Sequence, residues 1–505
     1  MFIGHDLGTG GDKAVLVGAD GHIRAMAFVP YALEHPRPGW AEQDPSTYWS
    51  AVCEATRTVM DRSGVDPNRV KGVGFAAQML TQVPLDASGA PTRQAISWLD
   101  ARAEAEAARI VRRLGGRQLV RVVAGAVPSA KDVVAKWAWM RDNEPDVWDR
   151  TAALTDATGF LVAQATGVVC ADHTAGGGTG MIDRGTRTWS RPLLMASGLG
   201  GRDVRRRLPE LRGCAEVVGG LTADAASALG LLAGTPVVAG VGDVPAAQVG
   251  SGAVLNGQAH VCLGTSAWLC VTTSSVADLP AHGVFSLPAA DPSTYATVGE
   301  METAGECLDW LARLMFPDSD ESQGVATLIA SAADAPPGCD DLTFAPWLFG
   351  ERSPVNDPSL RGAFLGLSLQ HTRAHLARAV LEGVAHNLRW LLDEVAARGL
   401  GPSRLRVIGG GVRSALWMQT IADVTGLAVD TLSHPQYAGA RGAGLLAAVG
   451  TGAIRSVGDV AGLSAVAATY EPTTDRALAG VHERAHRAFL TALPAASGHA
   501  RALRR

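Results

Sequence analysis

At 505 residues the chain is too long for one compact core, and two large domains are expected. Its 47% hydrophobic and 18% charged content is ordinary for a water-soluble globular protein, and a net charge of −5 without a basic aromatic stripe argues against a nucleic-acid partner. Seven cysteines without CxxC spacing exclude a disulfide framework; no apolar run reaches membrane-spanning length and a strand starting at residue 2 leaves no room for a secretory signal, so a cytoplasmic protein with no membrane partner is expected.

The opening apolar run ends at Asp6, crosses Gly8-Thr9-Gly10-Gly11 and resumes as Val15-Leu16-Val17, which has β-branched character and no helical spacing. Asp20-Gly21 is a hairpin signal, and residues 23–29 can return as a third strand. The glycine turn therefore joins two antiparallel strands, which sets aside the dinucleotide fingerprint, because that motif needs a helix after its glycines. Two readings of the turn stay open. In one, glycine amides approach phosphate oxygens, Thr9 and Lys13 donate hydrogen bonds, and Asp6 faces a phosphate-bound metal ion. In the other, the turn is a tight hairpin beside a buried, capped aspartate.

Residues 35–45 read as a loop, with Asp44-Pro45 starting a helix that runs to residue 62. A buried strand over 70–76 ends at Gln78-Met79-Leu80, and a short one over 94–97 ends at Trp98-Leu99-Asp100-Ala101-Arg102. Polar groups at strand ends are where open α/β sheets hold ligands, although Trp98 and Asp100 also suit a packing anchor and a helix cap. Residues 130–170 read as helical with Trp137, Trp139 and Trp148 in the core, and the Gly176–Gly180 cluster precedes a strand or loop.

From residue 236 the opening pattern recurs. A strand over 237–241 ends at Gly242-Asp243, a small-residue helix covers 246–251, and strands over 259–263 and 267–273 flank Gly264-Thr265-Ser266. The recurrence predicts two related domains facing one cleft, each giving it a phosphate-binding turn. Further on, a strand over 405–408 runs through Gly409-Gly410-Gly411 into a helix over 414–426, a place for a nucleotide at a helix N-terminus. Gly439 to Gly444 opens a helix suited to close packing, and the last thirty or so residues read as a helix with a frayed basic tail. His371 and His375 have zinc-ligand spacing but lack the glutamate and third ligand of a metal site.

In this order the motifs resemble the FGGY family of carbohydrate kinases, and within it most of all the xylulokinases, over residues 2 to about 450. Asp6-Leu7-Gly8-Thr9-Gly10-Gly11 resembles the first phosphate motif, Gly264-Thr265-Ser266 the second, and Gly409-Gly410-Gly411-Val412-Arg413-Ser414 the adenosine motif. Gly362 to Leu367, continuing through His375-Leu376 and Ala379-Val380-Leu381-Glu382, resembles a family signature, and Pro38-Gly39-Trp40 with Glu42-Gln43-Asp44-Pro45 a xylulokinase segment. The resemblance implies an α/β fold of two actin-like, ribonuclease-H-type domains: an N-terminal one over 2–242, a C-terminal one over 243–455, and a helical tail over 456–505.

It implies ATP and Mg²⁺ as cofactors, a small sugar or polyol as substrate, and a homodimer. Asp243 would be the general base, and Asp6 would orient Mg²⁺ through water. Thr9, Gly10, Gly11, Lys13, Gly264, Thr265, Ser266, Gly305, Asp309, Gly410, Gly411 and Ser414 would serve ATP and its phosphates. Gln78, Met79, Leu80, Trp98, Asp100, Arg102, Asp243 and Val244 would serve the sugar. The chain departs from xylulokinases where Leu80 replaces histidine and where Leu99 and Val244 replace asparagine, removing polar groups from the expected pocket. D-Xylulose is the substrate if neighbouring groups or water supply those contacts; otherwise L-xylulose, ribulose, erythrulose or a pentitol is expected. A sensor that kept the fold and lost turnover would have had no need to retain Asp243.

Overall fold

The computed structural model describes residues 1–116, 120, 127–464 and 466–502. Phe2–Gly8 and Gly11–Val17 pair antiparallel with Gly8 opposite Gly11, so Thr9 and Gly10 alone make the turn. Ile23–Pro30 adds the third antiparallel strand, and Val73–Ala77 lies parallel on the other side of Phe2–Gly8. Pro236–Val238 and Val241–Gly242 both pair with Val73–Ala77, completing a mixed sheet edged by Val217–Gly220. The helix Pro45–Ser63 starts where the Asp44 carboxylate accepts the Ser46 amide at 2.8 Å and stops at Gly64, whose φ of 60° breaks the helical path. Its Tyr48, Val52, Thr56 and Val59, at helical spacing, face the sheet and are buried.

The second sheet repeats this plan. Ala259–Leu263, Ala267–Thr273 and Tyr295–Met301 pair antiparallel in turn, Arg404–Ile408 lies parallel to the first of them, and Ala428–Leu432 follows. The helix Arg373–Ala396 buries Val380, Leu381, Val384, Leu388 and Leu391 in the core of this domain.

Two helices join the sheets. Asp243–Ser251 leaves the last strand of the first sheet, and Ala438–Gly450, which lies in the chain between the second-sheet strands Ala428–Leu432 and Val466–Tyr470, packs back on the first. Small residues allow the contact. A Cβ on Gly4 would stand 2.0 Å from the Ala440 carbonyl oxygen, and one on Gly74 2.1 Å from that of Ala443. The Gly439 to Gly444 stretch therefore packs as closely as its sequence predicts.

Two expectations need correction. Residues 130–170 are not helical throughout: helices Val133–Asn143, Pro145–Arg150 and Ala157–Thr166 are interrupted by the strand Ala153–Asp156. That strand pairs with Gln82–Leu85 in a small four-stranded sheet, and the Thr155 hydroxyl donates to the Val83 carbonyl at 2.6 Å. A partner seventy residues away decides its conformation, and local periodicity does not carry that information. The glycine cluster at 176–180 lies largely within the helix His173–Gly178, whose Asp172 cap accepts the Thr174 and Ala175 amides, and the expected strand follows it as Ile182–Asp183. The second correction concerns the helical tail expected over 456–505: Val466–Tyr470 is a strand that pairs antiparallel with Ala428–Leu432 in the second sheet, the tail helix is Arg476–Ala502, and the end of the predicted basic tail, 503–505, lies outside the described residues. No helix among the described residues is long and apolar enough to cross a membrane.

Candidate active site

Asp6 sits near the end of Phe2–Gly8, and Asp243 is the first residue of its helix, immediately after a strand that pairs with Val73–Ala77. Topology thus sets two carboxylates at the same end of one sheet. Asp243 accepts the Val244 amide at 2.9 Å, and the Met79 backbone amide also donates to it. Desolvation in the cleft, with the Asp6 charge adding to it, pushes the Asp243 carboxyl up to about 7. Asp6 is raised as well, first by desolvation, while Lys13, its ammonium 4.0 Å away, works in the other direction. A Cβ on Gly439, in the first turn of Ala438–Gly450, would stand 2.5 Å from an Asp6 oxygen. Only glycine lets the helix start pack this closely on the carboxylate.

The two predicted turns lie at equivalent places in the two sheets. Gly10 is exposed with nothing within 4 Å of a built Cβ, and Thr265 is exposed too. The second turn is braced by the Gly264 amide donating to Ser266, the Gly305 amide to Gly264 at 2.8 Å, and the Glu306 amide to Thr265 at 3.1 Å. Gly305 thereby fixes the turn to the N-terminus of the helix Gly305–Met315, whose Asp309 is half-buried one turn on. Gly410 faces open space, its nearest neighbour the Arg413 guanidinium at 3.6 Å.

Other predicted phosphate ligands are occupied elsewhere. The Thr9 hydroxyl donates to Gln78 Oε1 at 3.1 Å and accepts from Trp98 Nε1 at 2.9 Å, so its one proton is spent and it has none to give a phosphate. A Cβ on Gly11 would strike the Phe28 ring, and one on Gly411 the Leu263 side chain, which makes these packing glycines. The Ser414 hydroxyl caps its helix by accepting the Trp417 amide at 3.1 Å.

Of the residues expected to serve the sugar, Met79, Leu80 and Trp98 are half-buried, as is the neighbouring Leu99. Gln78 stands behind them, 2% exposed, with its amide protons spent on Gln43 Oε1 at 2.9 Å and the Tyr48 hydroxyl at 3.2 Å. Asp100 and Arg102 have fully buried side chains. Asp100 accepts the Ala41 amide at 2.6 Å and the Arg102 guanidinium at 2.7 and 2.8 Å, and Arg102 lies 3.6 Å from the Trp40 ring centre. They hold the loop beneath the pocket and are not open to a ligand. Val244 packs against an apolar cluster of the second sheet containing Ala289 and Val298, which accommodates valine there. His371 and His375 both reach Asp340 and fasten the start of Arg373–Ala396, and the described residues hold no group of three metal-ligating side chains.

Residues 1–250 match the model of the FGGY family of carbohydrate kinases, N-terminal domain, and residues 259–451 that of the C-terminal domain. The chain belongs to the FGGY family of carbohydrate kinases. The xylulose kinase of Escherichia coli strain K12 is 34% identical over 89% of this kinase and 90% of its own length, and that of Bacillus subtilis strain 168 is 29% identical over 91% and 90%. A solved xylulose kinase from Rhodospirillum rubrum superposes with a TM-score of 0.88 at 30% identity, covering 99% of each chain. The fold is accordingly the duplicated actin-like one.

Several residues that touch or act on Thr9 and Asp243 in this kinase drew no role from the sequence. Gln43 donates to the Thr9 carbonyl at 2.8 Å, and Tyr48 to Gln43 at 2.7 Å; Gln43 lies in the Glu42-Gln43-Asp44-Pro45 segment already singled out, so that signal was present. Glu300, whose charge acts on Asp243, and Lys136, inside an apparently apolar helix, carry no such signal.

Proposed function

We propose that this kinase transfers the γ-phosphoryl group of ATP to D-xylulose, with Asp243 as general base. The observation that carries the reading is Asp243 itself, a carboxylate at a helix start opposite Asp6, with a proton affinity matched to neutral pH. A base works best when its pKa lies near the working pH, and here desolvation supplies that match. The residues also fit a metal-bound nucleotide: Asp6 lies in a cradle that a Cβ on Gly439 would fill, Lys13 is beside it, and the open glycines Gly10, Gly264 and Gly410 allow close approach of phosphates. When bound, Mg²⁺-ATP supplies the phosphoryl group with part of its charge neutralised. Asp243 takes the proton of the attacking hydroxyl at its carboxylate oxygen, while the Met79 and Val244 amides hold that carboxylate in place. The half-buried Trp98 and Met79 flank the sugar and limit water in the cleft. The choice of D-xylulose is supported by the xylulose kinases among its relatives. Seven unpaired cysteines fit operation in a reducing cytoplasm.

ADP release with Mg²⁺-ATP, measured on D-xylulose, L-xylulose, ribulose, erythrulose, pentitols and glycerol, tests the assignment. D-Xylulose is expected to lead in kcat/KM by about tenfold or more. A higher value for another ketose or a pentitol would replace it and trace the change to Leu80 and Leu99. The pH profile is a separate check. With Asp243 titrating at about 7, kcat/KM for the sugar at saturating Mg²⁺-ATP should level off above that pH and fall about tenfold per unit below it. A profile flat from pH 5.5 to 8 would remove Asp243 as the base.

A further inference from the structure

Lys136 is a fully buried lysine in the helix Val133–Asn143, whose buried residues also include Val133, Trp137 and Met140. Its ammonium donates to the Leu80 carbonyl at 3.0 Å and to the Ser97 carbonyl at 2.8 Å. These carbonyls belong to two separate segments, the one carrying Met79 and Leu80 and the one carrying Trp98 and Leu99. The Trp98 amide, which donates to the Thr81 hydroxyl at 3.2 Å, is a second tie between them. Leu80 has a φ of 61°, a left-handed conformation that leucine avoids and that persists only where surrounding contacts impose it. The same turn delivers the Met79 amide to Asp243 and brings the Met79 and Leu80 side chains against Gly178, where a Cβ would stand 3.1 and 3.4 Å from them.

We propose that Lys136 is a positioning residue for the sugar side of the cleft: its ammonium clamps the Leu80 and Ser97 carbonyls and so fixes the spacing of the two segments that flank the sugar. A helix core would be filled at lower cost by methionine, since burying an ammonium is unfavourable unless its donors are satisfied. Desolvation lowers Lys136 to about 7, with the carboxylates of Asp100 and Asp132 opposing it. The clamp holds in either protonation state, because a neutral amine still has two protons to donate to the two carbonyls. Neither carbonyl held by Lys136 belongs to a phosphate turn, and although Trp98 also bonds Thr9 and Met79 also bonds Asp243, the larger effect is expected on the sugar. The inference rests on the proposed placement of the sugar beside Asp243, though not on which sugar it is.

The test is steady-state kinetics of Lys136→Met on whichever sugar the wild-type enzyme turns over best. The sugar KM is expected to rise about tenfold or more, with the ATP KM within about twofold of wild type. Lys136→Gln, which keeps an amide donor in the same space, should fall between the two, and it carries the comparison if the methionine variant is insoluble. KM values for sugar and ATP that rise together, or a sugar KM that does not move in a folded variant, would overturn the proposal. Failure of D-xylulose in the substrate panel leaves this test intact, since it compares sugar with nucleotide.

Discussion

Asp243→Asn is expected to lower kcat by about 10²–10⁴-fold, the range that a positioned general base contributes. Asparagine has the same shape and can still accept the Val244 amide, which now reaches Asp243 at 2.9 Å, so the helix start should be preserved. What it lacks is an oxygen basic enough to take the hydroxyl proton. The fold should not suffer. Folding raises this carboxyl from 3.8 to about 7, so the native state binds its proton more tightly than the unfolded chain does. Stability contributed by this group therefore falls as pH rises from about 4 to 7, and above that the ionised carboxylate, facing Asp6, works against the fold. At pH 8 the asparagine variant should melt no lower than wild type while its turnover is nearly abolished. Parallel measurement of kcat, ATP affinity and Tm decides the matter: a variant that keeps more than about a tenth of wild-type kcat would show that another group takes the proton.

Both hairpins, the two-domain repeat and the placement of Asp6 and Asp243 beside strand ends were legible in the sequence because each depends on local rules. A glycine turn between two β-branched runs can close only as a hairpin, and its recurrence 250 residues later needs no knowledge of packing. The roles of individual polar residues were harder to read. Thr9 lies in a phosphate-like turn, yet its hydroxyl bridges Gln78 and Trp98, both distant in sequence. Asp100 and Arg102 stand at a strand end, as ligand-binding groups do, but bond one another from buried positions. A hydroxyl or carboxylate has few hydrogen bonds to make, and a sequence does not reveal whether a neighbour has already taken them. The same limit hid Lys136, whose helix reads as core because its partners are backbone carbonyls. Gly11 and Gly411 show a related limit: glycine allows close approach equally to a ligand or to a side chain such as the Phe28 ring.

The largest effect on stability is expected from Gly250→Ala. In an ordinary helix interior this change would stabilise by about 0.5–1 kcal/mol, because glycine loses more backbone freedom on folding. Here the sign should reverse. A Cβ on Gly250 would stand 1.7 Å from the Ala438 carbonyl oxygen and 3.0 Å from the Gly442 nitrogen, and one on Gly442 would meet the Ala246 oxygen at 2.0 Å. Every one of these neighbours is backbone, so no side chain can rotate away. The methyl fits only if Asp243–Ser251 and Ala438–Gly450 separate. Separation would also strain the Arg441 guanidinium, which donates to the Gly21, Gly250 and Leu463 carbonyls from a buried position. Overpacking on this scale should cost about 3 kcal/mol or more, read as a lower midpoint in urea or thermal unfolding. Catalysis should suffer in the molecules that remain folded, because the same helices carry Asp243 at one start and Gly439, the residue above Asp6, at the other. Gly462→Ala is the control, since nothing lies within 4 Å of its built Cβ, and it should stay within about 0.5 kcal/mol of wild type. If Gly250→Ala matched that control, the two domains would not be joined through a backbone-to-backbone helix crossing, and the coupling of the two carboxylates through it would fail as well.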